Sequence, residues 1–309
     1  MKQFKRLIIP YFIWAIVILV IPLFLIALYA FTTEGNEVMT LSFTWGNFAK
    51  FLEATYLNVI LKSFWLGLLT TFICLVLGYP LALIIARCSE KVQGLLIMLV
   101  TIPMWINMLL RTYAWMNLLA DNGIINNLLA KIGLGPISMM YTDFSVMVGL
   151  ICNFMPFMII PNHTSLNKMD KSLIEAAYDL GANRFQTFWK VIWKLSLPGV
   201  VNGIMMVFLL SISSFVIPKL LGGGQYMLIG NLIESQFISV GDWNFGSAIS
   251  MILAVIILIS MSLMKRMDKE KGEEEGYHAE KNKLFSEILR GHLPGVLLPA
   301  HSGDHDLFL

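Results

Sequence analysis

The sequence predicts an all-α integral membrane protein with six transmembrane helices and both termini in the cytoplasm, and three observations predict it. Hydrophobic residues make up 57% of the 309 and charged residues only 14%, far from the balance of a water-soluble domain. Apolar runs long enough to cross a bilayer, which takes about 20 residues of helix, recur six times. The basic residues gather on one side of those runs, and the positive-inside rule makes that side the cytoplasm.

The first run, Leu7 to Phe31, follows Lys2, Lys5 and Arg6. It is too long for a secretory signal and no small-x-small cleavage site follows, so it reads as a retained span. Residues 32–58 form an external loop in which Trp45, Phe48, Phe51 and Tyr56 are expected at the membrane interface. Residues 1–58 are thus a first span with its loop. The second span, Val59 to Ala86, ends in Arg87 and Lys91; the third, Leu95 to Leu119, contains Arg111. After it, "DNGIINNLLAKIGLGP" sets a short external helix between glycines. The fourth span is Phe144 to Ile160, and the charged interval behind it carries Lys168, Lys171, Arg184, Lys190 and Lys194. Pro198 to Leu221 is the fifth span, "KLLGGGQYMLIGNLIESQF" supplies a second short external helix, and Phe245 to Met264 is the sixth span. Residues 59–265 form the helical core, while 266–309 read as a charged, disordered cytoplasmic tail too polar to span.

Several function classes drop out. The basic residues are too dispersed to grip nucleic acid, and no GxxxxGK[ST] is present to cradle a nucleotide. No Ser/His/Asp or paired-carboxylate pattern supplies a catalytic residue. The histidines of the tail match no metal template, and Cys74, Cys88 and Cys152 read as packing residues.

The informative stretch is "KSLIEAAYDLGANRFQ", Lys171 to Gln186. Ser172 with Glu175 has the capping-box spacing, which predicts a helix starting at Ser172. Gly181 predicts its end, because glycine enters the left-handed conformation without steric cost. A second helix is expected from about Asn183, with Phe185, Phe188, Trp189 and Ile192 along one face. Ser196-Leu197-Pro198 then opens the fifth span, proline being tolerated at a first helical position.

Glu175-Ala176-Ala177, Gly181 four residues after the second alanine, and Leu197-Pro198 together resemble the EAA signature of ABC-importer permease subunits. The resemblance covers residues 55–265 and implies a type I ABC importer permease fold. It implies that residues 168–198 are the coupling loop that docks on an ATPase subunit. Glu175, Ala176, Ala177 and Gly181 would be its contact and turn positions, and Leu197 and Pro198 its exit. "LVLGYPLALIIAR", "LRTYAWMNLLADNGIINNLLAKIGL" and "FVIPKLLGGG" are similar to the polyamine permeases, in order and spacing more like the spermidine/putrescine type lettered B than its C-type partner. The implied partners are a C-type permease, two ATPase subunits and an extracytoplasmic polyamine-binding protein, all at a bacterial cytoplasmic membrane. ATP and magnesium would sit on the ATPases, and this chain would bind no cofactor itself.

A polyamine in transit should meet carbonyls, amides and aromatic faces, since cation–π contacts of about 0.5–2 kcal/mol each permit release. On that logic Trp105, Asn107, Tyr113, Trp115, Asn153, Ser211 and Ser214 are the path candidates. Arg111 would repel a cation, so a structural or gating role fits it, paired with Asp143 or Asp121. Lys219 adds positive charge at the outer end of the fifth span, where an acid would suit a polyamine. Within the same class, ferric iron or an opine is the alternative cargo. A secondary transporter would need intramembrane carboxylates and inverted repeats, and the spans have almost no carboxylates.

Overall fold

A computed structural model describes residues 10, 14–33, 42–224 and 226–262. Lys2, Lys5, Arg6 and the tail 266–309, all used in the sequence reading, lie outside the described residues. The described chain is helical throughout, apart from turns and an isolated antiparallel bridge joining Thr32 and Phe43.

Helix α1, Ile16–Ala30, lies within the first apolar run. Its last carbonyls have no helical partners, and two asparagines from elsewhere take them. Asn47 donates to Ala30 O at 3.0 Å, and Asn244 to Tyr29 O and Thr32 O at 3.0 and 2.7 Å. Short α2, Gly46–Phe51, follows. Phe51 and Tyr56, expected at the membrane interface, pack instead into a core cluster with Phe208 and Phe245. Trp45, exposed, and Phe48, half-buried, lie in an aromatic cluster with Phe31 and Phe43.

The body is built on three long helices: α3, Ala54–Ala86; α7, Asp143–Asn167; and α9, Arg184–Ser213. Water cannot drive apolar surfaces together inside a bilayer, so such helices associate by close packing, with small residues at the crossings. A Cβ on Gly67 would lie 2.9 Å from Ile212 Cγ1, and one on Gly199 2.7 Å from the Pro161 carbonyl. Met158, fully buried, reaches between the other two helices, because Gly78 and Gly203 face it from either side.

The third apolar run is broken. Helix α4, Glu90–Trp105, and the helical segment that starts at Met108 meet at 92°. The reason is local: Ile106 is extended, and the Asn107 side chain caps the next helix by accepting the Leu109 amide at 2.8 Å. Helix α5, Met108–Leu119, then leads to α6, Ile124–Lys131, the short helix expected between glycines.

The fifth span also differs. Helix α9 begins at Arg184, far before Pro198, and runs through that proline; it stops at Ser213, not Leu221. Ser214 is extended, and α10, Val216–Leu221, restarts with Pro218 in its first turn, where a missing amide costs nothing. Helix α11, Ile229–Glu234, continues as a wider turn to Val240, and α12, Trp243–Ser262, is the last apolar helix described. By length and composition, four described helices can cross a membrane alone, and the bent pair makes a fifth.

Candidate functional site

The segment between α7 and α9 folds as helix, glycine turn, helix. Helix α8, Lys171–Asp179, is capped by Asp170, whose carboxylate accepts the Ser172 amide at 2.9 Å. The predicted Ser172–Glu175 box is therefore displaced by two residues: Asp170 is the last extended position, and Ser172 already lies inside the helix. The Ser172 amide holds the Asp170 carboxyl below the usual carboxylate range, so the cap stays ionised.

Gly181 ends α8 as expected, at φ +83°. Its amide donates to Tyr178 O at 2.8 Å and the Ala182 amide to Ala177 O at 3.0 Å, which is the Schellman closure of a helix C-terminus. Asn183 then caps α9 in a reciprocal box with Gln186, at 2.8 and 3.0 Å. Both ends of the turn are thereby fixed by hydrogen bonds.

The second helix does not present one continuous apolar face. Between Phe188 and Ile192 it widens, so that the Trp193 amide donates to the Phe188 carbonyl five residues back. That extra residue per turn rotates the register. Ile192 is buried and Phe188 half-buried, whereas Phe185 is 71% exposed and Trp189 is exposed too. The inward aromatics link the turn to the body: Tyr79 of α3 packs edge-on to Trp193 at 5.0 Å and hydrogen-bonds Ser196 Oγ at 2.8 Å.

Helix α8 itself touches the body through Ile174, which joins Ala82, Ile85, Leu166 and Ile192. Its outer side is free: Glu175 and Ala176 are exposed, as are Leu173 and Tyr178, and Leu180 is 89% exposed. Ala177 is half-buried, Leu197 half-buried and Pro198 exposed within α9. Lys171, Glu175 and Arg87 edge a cavity of 310 Å³ between α8 and the ends of α3 and α7.

The path candidates fall into two groups. Trp105, at the end of α4, is 89% exposed, and Asn107 and Tyr113 are exposed on the bend and on α5. Trp115 packs against the main core. The second group is buried in α7 and at the C-terminal end of α9: Asn153 Oδ1, Ser211 Oγ and Ser214 Oγ have no hydrogen-bond partner among the described residues. A second cavity, of 470 Å³, opens between α4, α7 and α9 near the loop, lined by Met104, Ser165, Asn202 and Met206. Sequence reasoning missed it; Asn202, an exposed amide within an apolar run, was the available signal.

Arg111 does not pair with Asp143 or Asp121. Its Nε and Nη1 are buried without a partner among the described residues. Asp143 is engaged by Lys62 of α3, at 3.3 Å. Lys219 is neutralised by Glu234, which bonds its ammonium, so it adds no bare positive charge at that rim.

Known proteins are similar to this chain in sequence or in fold. Residues 78–272 match the family described as binding-protein-dependent transport system inner membrane component. The spermidine/putrescine transport system permease protein PotB of Salmonella typhimurium (strain SL1344) is 36% identical over 259 residues, 83% of this chain and 90% of that protein. The protein of the same name from Escherichia coli (strain K12) is 37% identical over 247 residues, 79% of this chain and 90% of that one. Among solved structures, a bacterial ABC transporter involved in the import of the acidic polysaccharide alginate aligns with a TM-score of 0.69 at 18% identity, covering 87% of this chain and 96% of that chain. At that identity the likeness concerns the fold alone.

Proposed function

We propose a function from one fact: this chain belongs to the family of binding-protein-dependent transport system inner membrane components. It is the permease subunit of an ATP-driven importer of polyamines, spermidine and putrescine, in a bacterial cytoplasmic membrane. Helices α1, α3, the bent pair α4 and α5, α7, α9 and α12 make six crossings, with both termini cytoplasmic. A C-type permease completes the path, two ATPase subunits carry ATP and magnesium, and an extracytoplasmic binding protein delivers the substrate.

Within the chain, the feature that supports the coupling role is the exposed side of α8. A helix packed on the body through Ile174, with Leu173, Tyr178 and Leu180 exposed and Glu175 exposed at the edge of the cavity beside it, presents an anchor of the kind a protein partner covers. The turn at Gly181 connects it to α9 without slack. When the ATPases close on ATP, the displaced α8 carries α9 with it and the bundle passes from inward-open to outward-open; hydrolysis resets it. Catalysis of ATP hydrolysis belongs to the partner subunits, and this chain's residues transmit the movement and form the wall of the path. The substrate reading is supported by the PotB relatives, and the neutralised Lys219 removes an obstacle to a cation.

Uptake of radiolabelled spermidine and putrescine by cells expressing the whole transporter tests both parts. Glu175→Arg reverses the charge on the exposed side of α8 and is expected to cut ATP-dependent uptake about tenfold or more, equivalent to losing about 1.4 kcal/mol of docking, while the protein still inserts. Normal uptake by Glu175→Arg would refute the docking role. Absence of polyamine uptake by the unaltered transporter would refute the substrate.

A further inference from the structure

At the end of the bundle opposite α8, a cavity of 450 Å³ is lined by Lys62, Tyr141, Gly222, Gly223 and Tyr226. The Lys62 ammonium lies 3.8 Å from the centre of the Tyr226 ring and 3.3 Å from the Asp143 carboxylate. A π face and a carboxylate converging on one point are what a primary ammonium needs, and here the point is filled by the chain's own side chain.

The walls are stiff and the occupant is not. Tyr141 has φ +63°, a region that costs a bulky residue energy and marks functional sites when surrounding structure enforces it. Here the enforcement is visible: its amide donates to Leu221 O at 3.0 Å, and its ring lies against Gly223, where a Cβ would approach to 2.5 Å. Tyr226 is likewise pressed on Gly222, where a Cβ would come within 2.1 Å. Burial first, then the neighbouring Asp143, pushes the Tyr226 phenol well above its ordinary range, keeping it neutral. In contrast, the Lys62 side chain is 45% exposed and that of Asp143 68% exposed, and a half-exposed lysine swings away at small cost.

The geometry points to an ammonium-binding site at the outer mouth of the path, whose resting occupant is Lys62 and whose ligand is the primary ammonium of an alkylamine. An arriving ammonium takes the place over Tyr226 and against Asp143, and Lys62 moves to solvent. The tethered lysine thus competes with the ligand and weakens its hold, which favours onward release. For the nature of the cargo this rests on the polyamine reading; the site itself is defined by ammonium chemistry.

The test uses the complete transporter in nanodiscs without binding protein, titrated with radiolabelled spermidine and, by saturation-transfer NMR, with n-butylammonium. Lys62→Met removes the competitor and is expected to tighten both probes about 3- to 10-fold. Tyr226→Leu or Asp143→Asn, added to Lys62→Met, is expected to abolish that gain. Unchanged or weaker binding in Lys62→Met, with assembly intact by size exclusion, overturns the site. If n-butylammonium follows this pattern while the unaltered transporter takes up no spermidine, the site stands and the polyamine reading falls. If spermidine is transported but no variant shifts either probe, the site falls and the polyamine reading stands.

Discussion

Gly181→Pro is expected to lower ATP-driven spermidine uptake in proteoliposomes about a hundredfold or more, with membrane insertion and assembly preserved. Proline fixes φ near −65°, whereas this position sits at +83°, and it removes the amide that closes on Tyr178 O. Misplacing proline in a defined backbone costs about 3 kcal/mol or more, and that cost is met by opening the turn. Helix α8 would then hang on α9 by a loose joint, and its displacement would no longer reach the bundle. Gly181→Asn is the control, because asparagine tolerates the left-handed region; it should retain a measurable part of the uptake. Near-normal transport by the proline variant would mean that the turn does not couple anything.

Met158→Ala is expected to have the largest effect on the fold itself. The side chain is fully buried, with its Cγ at the face of Gly78 and its sulfur at the face of Gly203, so one residue fills the space among α3, α7 and α9. Truncating a buried methionine to alanine costs about 2–5 kcal/mol when the surroundings do not collapse. Collapse is unfavourable here, because three long helices would have to shift together. A thermal-stability assay in detergent should show a drop of several degrees, and Met158→Leu, which conserves volume, should recover most of it. An unchanged melting temperature in the alanine variant would show that the crossing tolerates a void.

The apolar runs were legible because a spanning helix advertises itself by composition, and the loop was legible because Gly181 and Asn183 each specify a backbone state. What hydropathy could not register was where hydrogen bonds change direction. The break before Asn107 lies inside an uninterrupted apolar run, and only Pro103 and the capping amide signal it. Likewise Pro198 looked like a beginning, yet α9 passes through it and ends before the extended Ser214, four residues ahead of Pro218. Pairings across helices were harder still. Arg111 was expected to pair with Asp143 or Asp121, but Asp143 is held by Lys62 of α3, a residue distant in the chain that no sequence spacing connects to it. The same holds for Phe51 and Tyr56, aromatic residues near an interface in sequence that the return of α12 draws inward. For the cap of α8, Asp170 and Ser172 both had the right chemistry, and the choice fell to the backbone, which is still extended at Asp170.

If the proposed coupling holds, the length of α9 would set the stroke of the transporter. Its 30 residues, at about 1.5 Å each, make a rod about 45 Å long. Pivoted near its middle, such a lever turning through about 15°, a rotation known for subunit interfaces, sweeps each tip about 6 Å. One tip is the joint at Asn183 and the other is the break at Ser214, so both arms are nearly equal. On the proposed coupling role, a lever so pivoted would have a gearing close to one to one: a displacement imposed at the loop would be returned, undiminished and reversed in direction, at the far rim.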